Sequence, residues 1–180
     1  MRKRIIAMHS ISYLVLDVDG TLTDGKIYMG PNGELFKAFD VKDGYGISTI
    51  LPSMRITPVV ITGRKSEIVK KRCAELGIER VHQQVSDKLA TLLTIVESDG
   101  MSLANVAYIG DDLNDLRCMQ AIRESGGLVG CPSNAVEEVK AVSHYVSSKS
   151  GGNGAVRDFL GWLCGRQTED ARDFLVDLTS

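Results

Sequence analysis

Short apolar runs rich in β-branched and aromatic residues alternate with stretches whose apolar residues recur at helical spacing, which limits this chain to an α/β domain on a largely parallel sheet. The expected strands are residues 13–16, 58–61, 80–82, 106–109, 128–129 and 144–146. Between them, Ile68, Val69, Arg72, Cys73 and Leu76 place a mostly apolar stripe on one helix, and Leu89, Leu92, Leu93 and Val96 place another on the next. Two features interrupt the alternation. Residues 26–29 and 34–39 flank Gly30-Pro31-Asn32-Gly33, which predicts a β-hairpin inserted directly after the first strand. Residues 150–154, Ser-Gly-Gly-Asn-Gly, read as a flexible link into a final helix carrying Val156, Phe159, Leu160 and Leu163.

A chain of 180 residues with 43% hydrophobic content can bury one good core and is too short for two ordinary ones. One domain is therefore expected over residues 1–166, followed by an acidic tail at 167–180. A net charge of -2 with both signs interspersed lacks the basic footprint of a nucleic-acid binder and points to a small-molecule partner. Cys73, Cys118, Cys131 and Cys164 form neither a CxxC pair nor a zinc pattern, so structural thiols in a reducing, cytoplasmic setting are expected. The basic start at Met1 to Arg4 leads into Ile5, Ile6, Ala7 and Met8, but His9 and Ser10 break that run and no cleavage signal follows, so export is not expected. No stretch is apolar enough for a membrane span.

The polar residues with chemical potential stand where strands end. Asp17-Val18-Asp19-Gly20-Thr21 follows the first run, Thr62-Gly63-Arg64 the second, and Gly110-Asp111-Asp112-Leu113-Asn114-Asp115 the fourth; Lys88 heads a helix after another. Open parallel sheets bind ligands just outside the carboxyl ends of their strands. Several carboxylates gathered there repel one another unless a cation intervenes, and an all-oxygen shell suits magnesium. One carboxylate could then attack phosphorus while Thr62 and Lys88 hold phosphoryl oxygens, with Asp19 placed to protonate the leaving oxygen and later to deprotonate water. For Asp112 and Asp115, a share in the site and a favourable charge at a helix start are equally open readings. Arg64 and Arg72 could join the site or simply face solvent.

Those four segments, in that order and spacing, resemble the motifs of the haloacid dehalogenase superfamily. The resemblance implies a Rossmann-like, doubly wound sheet, with Asp17 as nucleophile and Asp19 as general acid/base. It also implies a magnesium ion held by Asp17, the backbone carbonyl of Asp19, and Asp111. Too little chain separates the motifs to hold a cap domain. Among capless members, Leu22-Thr23-Asp24-Gly25, Asp40-Val41-Lys42-Asp43-Gly44 and the late Gly151-Gly152-Asn153-Gly154-Ala155-Val156-Arg157 look like the 3-deoxy-D-manno-octulosonate 8-phosphate phosphatases and their sialic-acid-related relatives. That likeness implies a phosphorylated sugar acid as substrate, in lipopolysaccharide biosynthesis for the octulosonate case. The implied substrate contacts are Asp19, Asp40, Val41, Lys42, Asp43, Gly44, Gly63, Arg64, Arg72 and Lys88.

One position departs from the octulosonate pattern. Two residues after Gly46 those enzymes carry a basic side chain, and here it is Ser48, which leaves a nine-carbon 9-phosphate open as substrate. Within the hairpin, Ile27 and Met29 share one face, while Leu35, Phe36, Ala38 and Phe39 put apolar groups on both faces of the second strand. Such a hairpin calls for association. The related capless phosphatases are tetramers, so the resemblance implies a homotetramer whose neighbouring subunits cover the open site. Two other readings share some of these residues: a phosphorylatable receiver module, and an inactive structural relative. A receiver carries its acidic pair on the first strand and its accepting aspartate on a later one, whereas Asp-x-Asp-Gly-Thr here stands first and argues for turnover.

Overall fold

The computed structural model describes residues 11–166, which form a six-stranded sheet with helices on both faces and a separate two-stranded hairpin. The strands are β1 (Tyr13–Leu16), β2 (Tyr28–Gly30), β3 (Gly33–Phe36), β4 (Thr57–Ile61), β5 (Arg80–His82), β6 (Val106–Ile109), β7 (Leu128–Cys131) and β8 (Tyr145–Val146). The helices are α1 (Val41–Tyr45), continued by a wider turn at Gly46–Ile50 into α2 (Leu51–Ser53), then α3 (Glu67–Glu75), α4 (Lys88–Ser98), α5 (Leu113–Glu124), α6 (Glu137–Val142) and α7 (Ala155–Cys164). The tail expected at 167–180 and the start at 1–10 lie outside the described residues.

The sheet order is β5-β4-β1-β6-β7-β8, and every neighbouring pair runs parallel. A strand buried on both faces needs a continuous apolar run, which is why β1 reads Tyr-Leu-Val-Leu without polar alternation. Its side chains still divide by face. Leu14 and Leu16 pack with Leu51 of α2, Val69 and Cys73 of α3, and Val156, Phe159, Leu160 and Leu163 of α7. Tyr13 and Val15 pack on the other face, with Leu92, Ile95 and Val96 of α4, Cys118, Met119 and Ile122 of α5, and Val139 of α6. The chain leaves β1 towards β4 on one side and returns through α4 to β6 on the other, so the crossovers diverge around the carboxyl end of β1.

Only the hairpin and α1–α2 separate β1 from β4, and only α3 separates β4 from β5; no cap stands between these strands. The hairpin closes at Gly30 and Gly33, its strands are shorter than the sequence predicts, and its register shifts between Tyr28 and Met29. Tyr28 and Phe36 stack across it with ring centroids 4.2 Å apart.

The expected flexible link at 150–154 is instead a packed turn. A side chain at Gly151 would place its Cβ 1.8 Å from the Gly20 carbonyl oxygen, and Gly152 donates its N–H to the Thr21 carbonyl at 3.1 Å. Gly151 N–H also donates to Asn134 Oδ1 at 2.9 Å. The glycines serve close approach to the loop after β1, a use that composition alone does not distinguish from flexibility.

Candidate active site

Asp17 is the first residue beyond β1, and its N–H still donates to the Ile109 carbonyl of β6 at 3.1 Å, so the sheet itself fixes where the carboxylate starts. The chain then turns sharply at Gly20, whose φ of 98° favours glycine. Any Cβ there would fall 2.0 Å from Asp111 Oδ2, so this glycine lets the β1 and β6 loops meet. Thr21 donates its hydroxyl to Asp111 Oδ1 at 3.1 Å, locking that meeting.

Lys88 opens α4, just after its cap Asp87, and reaches Asp17 Oδ1 at 2.6 Å and Asp115 Oδ1 at 2.7 Å. All three side chains are almost wholly buried. Burial works against the ammonium charge, yet Asp17 and Asp115 outweigh it and raise the Lys88 pKa. Asp17 itself is not fully compensated: burial and then the Asp115 charge push its carboxyl up to about 8 despite Lys88. Burial, followed by Asp115, likewise pushes Asp111 up to about 6, with Thr21 opposing. Lys88 alone does not balance these two carboxyls, and a bound divalent cation would invert that balance.

Asp17, Asp111 and Asp115 can bring carboxylate oxygens within 4.8 Å of one another. Asp115, however, is spent. Its Oδ1 accepts from Lys88 and from the Tyr108 hydroxyl at 2.6 Å, and its Oδ2 accepts from the N–H groups of Asp111 and Asp112 at 3.0 and 3.3 Å. With its lone pairs engaged and no exposed surface, Asp115 positions Lys88 and the β6 loop, leaving Asp17 and Asp111 as the carboxylates open to a cation. Asp112 caps α5, accepting from Leu113 N–H at 2.7 Å. An all-oxygen set of this kind fits magnesium.

A cleft of about 270 Å³ at this edge is lined by Asp17, Asp19, Gly25, Thr62, Gly63, Arg64, Asp111, Asp112 and Asn114. The structure thus gathers Asp17, Asp19, Thr62, Gly63, Arg64 and Asp111 in one place, with Lys88 behind Asp17. It does not bring the 40–44 segment or Arg72 into that cleft. Asp40 caps α1, accepting from Lys42 and Asp43 N–H groups, and Val41 is exposed. Lys42 lines a different cavity, of about 250 Å³, with Lys149, Asn153 and Arg157. Gly44 lies against the Arg72 guanidinium, which pairs with Glu75 at 3.2 Å and sits over the Phe39 ring. The Asp43 carboxylate is turned inward and 2% exposed, where Oδ1 accepts from Arg157 N–H at the start of α7 at 2.7 Å while Oδ2 is buried without a hydrogen-bond partner among the described residues. Burial, then the Asp40 charge, raises its carboxyl to about 6, with the α7 N–H groups opposing.

Sequence reading missed Lys37. This lysine follows β3, its side chain is 1% exposed, and its ammonium pairs with Asp19 and with Glu34 at 3.0 Å. A lysine at the end of a hairpin strand ordinarily marks a solvated edge. Its only sequence signal is its place three residues after Glu34, and that spacing is too common to single it out. All four cysteines are buried and free, and burial holds the Cys73 thiol at about 11 and Cys118 at about 12.

Residues 73–160 match the family of haloacid dehalogenase-like hydrolases. The 3-deoxy-D-manno-octulosonate 8-phosphate phosphatase KdsC of Escherichia coli (strain K12) is 44% identical over 154 residues, covering 86% of this chain and 79% of that protein. The chain belongs to this family of haloacid dehalogenase-like phosphatases. A crystal structure of the Moraxella catarrhalis octulosonate phosphatase, in complex with magnesium, phosphate and KDO, superposes with a TM-score of 0.84 at 38% identity, covering 93% of each chain. The Yersinia pestis enzyme superposes at 0.81 with 39% identity, over 87% of this chain and 82% of that one. This phosphatase shares their capless, mostly parallel fold. Among its described residues, no helix is long and apolar enough to cross a membrane.

Proposed function

We propose that this phosphatase hydrolyses 3-deoxy-D-manno-octulosonate 8-phosphate in a magnesium-dependent reaction that passes through a phosphorylated Asp17. The observation that carries the reading is the buried Asp17 carboxylate in the lining of the cleft, paired with Lys88 and sharing that lining with Thr62, Arg64 and Asp19. Asp17 and Asp111, with the Asp19 backbone carbonyl, would hold the magnesium ion, which supplies the positive charge this acidic edge lacks. Asp17 attacks phosphorus, and the bond from phosphorus to the sugar oxygen breaks. Asp19 gives a proton to that oxygen, then takes one from the water that releases phosphate and restores Asp17. Thr62, Gly63 and Lys88 hold the phosphoryl oxygens as charge redistributes. Arg64 stands at the mouth with a half-exposed side chain, where a sugar carboxylate would meet it. Of the contacts outside the cleft, Asp40, Val41, Lys42 and Arg72 would meet the sugar only at its far end, whereas Asp43 faces α7.

The identity to octulosonate enzymes favours the eight-carbon substrate, while Ser48, in place of a basic residue, leaves a nine-carbon 9-phosphate open. A panel of phosphorylated sugar acids decides between them. The eight-carbon ester is expected to show a kcat/KM at least about tenfold above any nine-carbon ester, a difference worth about 1.4 kcal/mol of transition-state binding. The reverse order would transfer the assignment to the nine-carbon acid. A cytoplasmic setting is part of the proposal and agrees with four unpaired thiols.

Assembly into a homotetramer is also proposed. Met29 and Leu35 are each 60% exposed on the hairpin and Phe36 is 51% exposed, a concentration of apolar surface on a protruding element. Phe36→Asp would place a charge in that contact. The variant is expected to run as a smaller species in size-exclusion chromatography with light scattering, and to lose discrimination among sugar acids. A wild-type chain that is monomeric and fully active at assay concentration would refute the assembly.

A further inference from the structure

Asp19, Lys37, Glu34 and Ser66 form a continuous chain of contacts beside the cleft. The Lys37 ammonium touches Asp19 Oδ1 and lies 3.0 Å from Glu34 Oε1, while Glu34 Oε2 accepts from the Ser66 hydroxyl. Ser66 also caps α3, accepting from Val69 N–H at 3.3 Å, and its own N–H donates to Gln83 Oε1 at 2.5 Å. On the other side of Asp19, Arg64 Nε stands 3.6 Å from Oδ2. Two carboxylates and two cations therefore balance, and Lys37 is the member that joins the hairpin to the β1 loop.

Lysine is the least suited side chain for burial unless its charge is paired and its donors are used. Here a 1% exposed lysine is held by two carboxylates, one of them itself anchored to the start of a helix. An element used only for packing would not need this. The geometry points to Lys37 as a positioning residue that aims the Asp19 carboxylate at the leaving oxygen, with Glu34 and Ser66 fixing Lys37 in turn. This rests on the reading of Asp19 as the group that protonates the leaving oxygen. Among the described residues, Lys37 is the buried donor to Asp19, and the second oxygen meets the half-exposed Arg64. Without Lys37 the carboxylate would be free to swing, and loss of aim by about 1 Å typically costs on the order of 100-fold in rate.

The leaving group separates aiming from general support. A sugar alkoxide needs its proton in the transition state, whereas p-nitrophenolate leaves without one. In single turnover, which reads transfer to the protein apart from the later water step that also uses Asp19, Lys37→Met is expected to slow phosphoryl transfer from the sugar phosphate by about 100-fold and from p-nitrophenyl phosphate by less than about 5-fold, with binding of the aryl ester little changed. Glu34→Gln keeps the Lys37–Asp19 contact while loosening its anchor. It is expected to show the same ordering at about 5- to 10-fold on the sugar phosphate, and it carries the test if Lys37→Met does not fold. Equal losses on both esters, or none on either, in the folded variants would overturn the inference. Asp19→Asn, assayed beside them, tells the two ideas apart. A selective loss in Asp19→Asn with a uniform loss in Lys37→Met sinks only the role of Lys37, whereas a uniform loss in Asp19→Asn removes the proton-transfer role on which it rests.

Discussion

Asp17→Asn is expected to lower kcat by at least about 10⁴-fold on every phosphate ester, while leaving the protein folded and at least as stable in the absence of metal. The activity loss follows because an amide is a poor nucleophile and a weaker cation ligand. The stability follows from electrostatics. Burial and the Asp115 charge hold the Asp17 carboxyl up at about 8, so the metal-free native state keeps this proton where the unfolded chain releases it near 3.8. Stability from that group is fully present below the unfolded value and is lost as pH rises towards the folded one. Asparagine carries no such charge, so thermal unfolding without metal is expected to favour the variant more at pH 8 than at pH 5. Lys88 keeps its second partner, Asp115, in the variant. A variant with near-normal turnover would remove Asp17 from its role, and a large drop in melting temperature at pH 8 would contradict the electrostatic account.

Chelation is expected to be almost as severe. Excess EDTA should reduce turnover by at least about 10³-fold, since the charge stabilisation a divalent cation supplies is several kcal/mol, and magnesium should restore it. The pH dependence of binding carries the sharper information. Asp17 and Asp111, raised to about 8 and about 6, must both be ionised to hold the ion. Magnesium therefore displaces protons at low pH, and its affinity rises as pH climbs through that window. The increase in melting temperature on adding magnesium should be larger at pH 8 than at pH 5.5. Activity persisting in EDTA would contradict the cation reading; a pH-independent shift would contradict the placement on these two carboxylates.

What the sequence disclosed follows a physical pattern. Buried parallel strands must be apolar throughout, so β1 and β6 were legible from their runs alone, and polar clusters just after such strands can only sit at the sheet's carboxyl edge. That is why the sequence alone places Asp17, Thr62 and Asp111 together. Side-chain direction in short helices was not legible. Asp43 lies one turn from Asp40 and is expected with it among the substrate contacts, yet the approach of α7 turns it inward. Nor was Lys37 legible, because its burial depends on Glu34 and Asp19 arriving from two different elements. Asp115 was divided between two readings, and the structure shows why: it occupies the first turn of α5 and closes a capping box with Asp112, yet it also accepts from Lys88 and Tyr108. The turn at 150–154 was misread because glycine serves flexibility and close packing with the same letters.

The central claim is that the phosphoryl group rests on Asp17 between sugar and water. Rapid-quench mixing with a sugar phosphate labelled at phosphorus tests it directly, with the protein digested and the label mapped at each time point. The expected result is a base-labile label on the peptide containing Asp17 that forms before inorganic phosphate appears and decays no more slowly than steady-state turnover. Labelled phosphate released at full rate with no label on the protein, or a label on any other residue, would contradict the account.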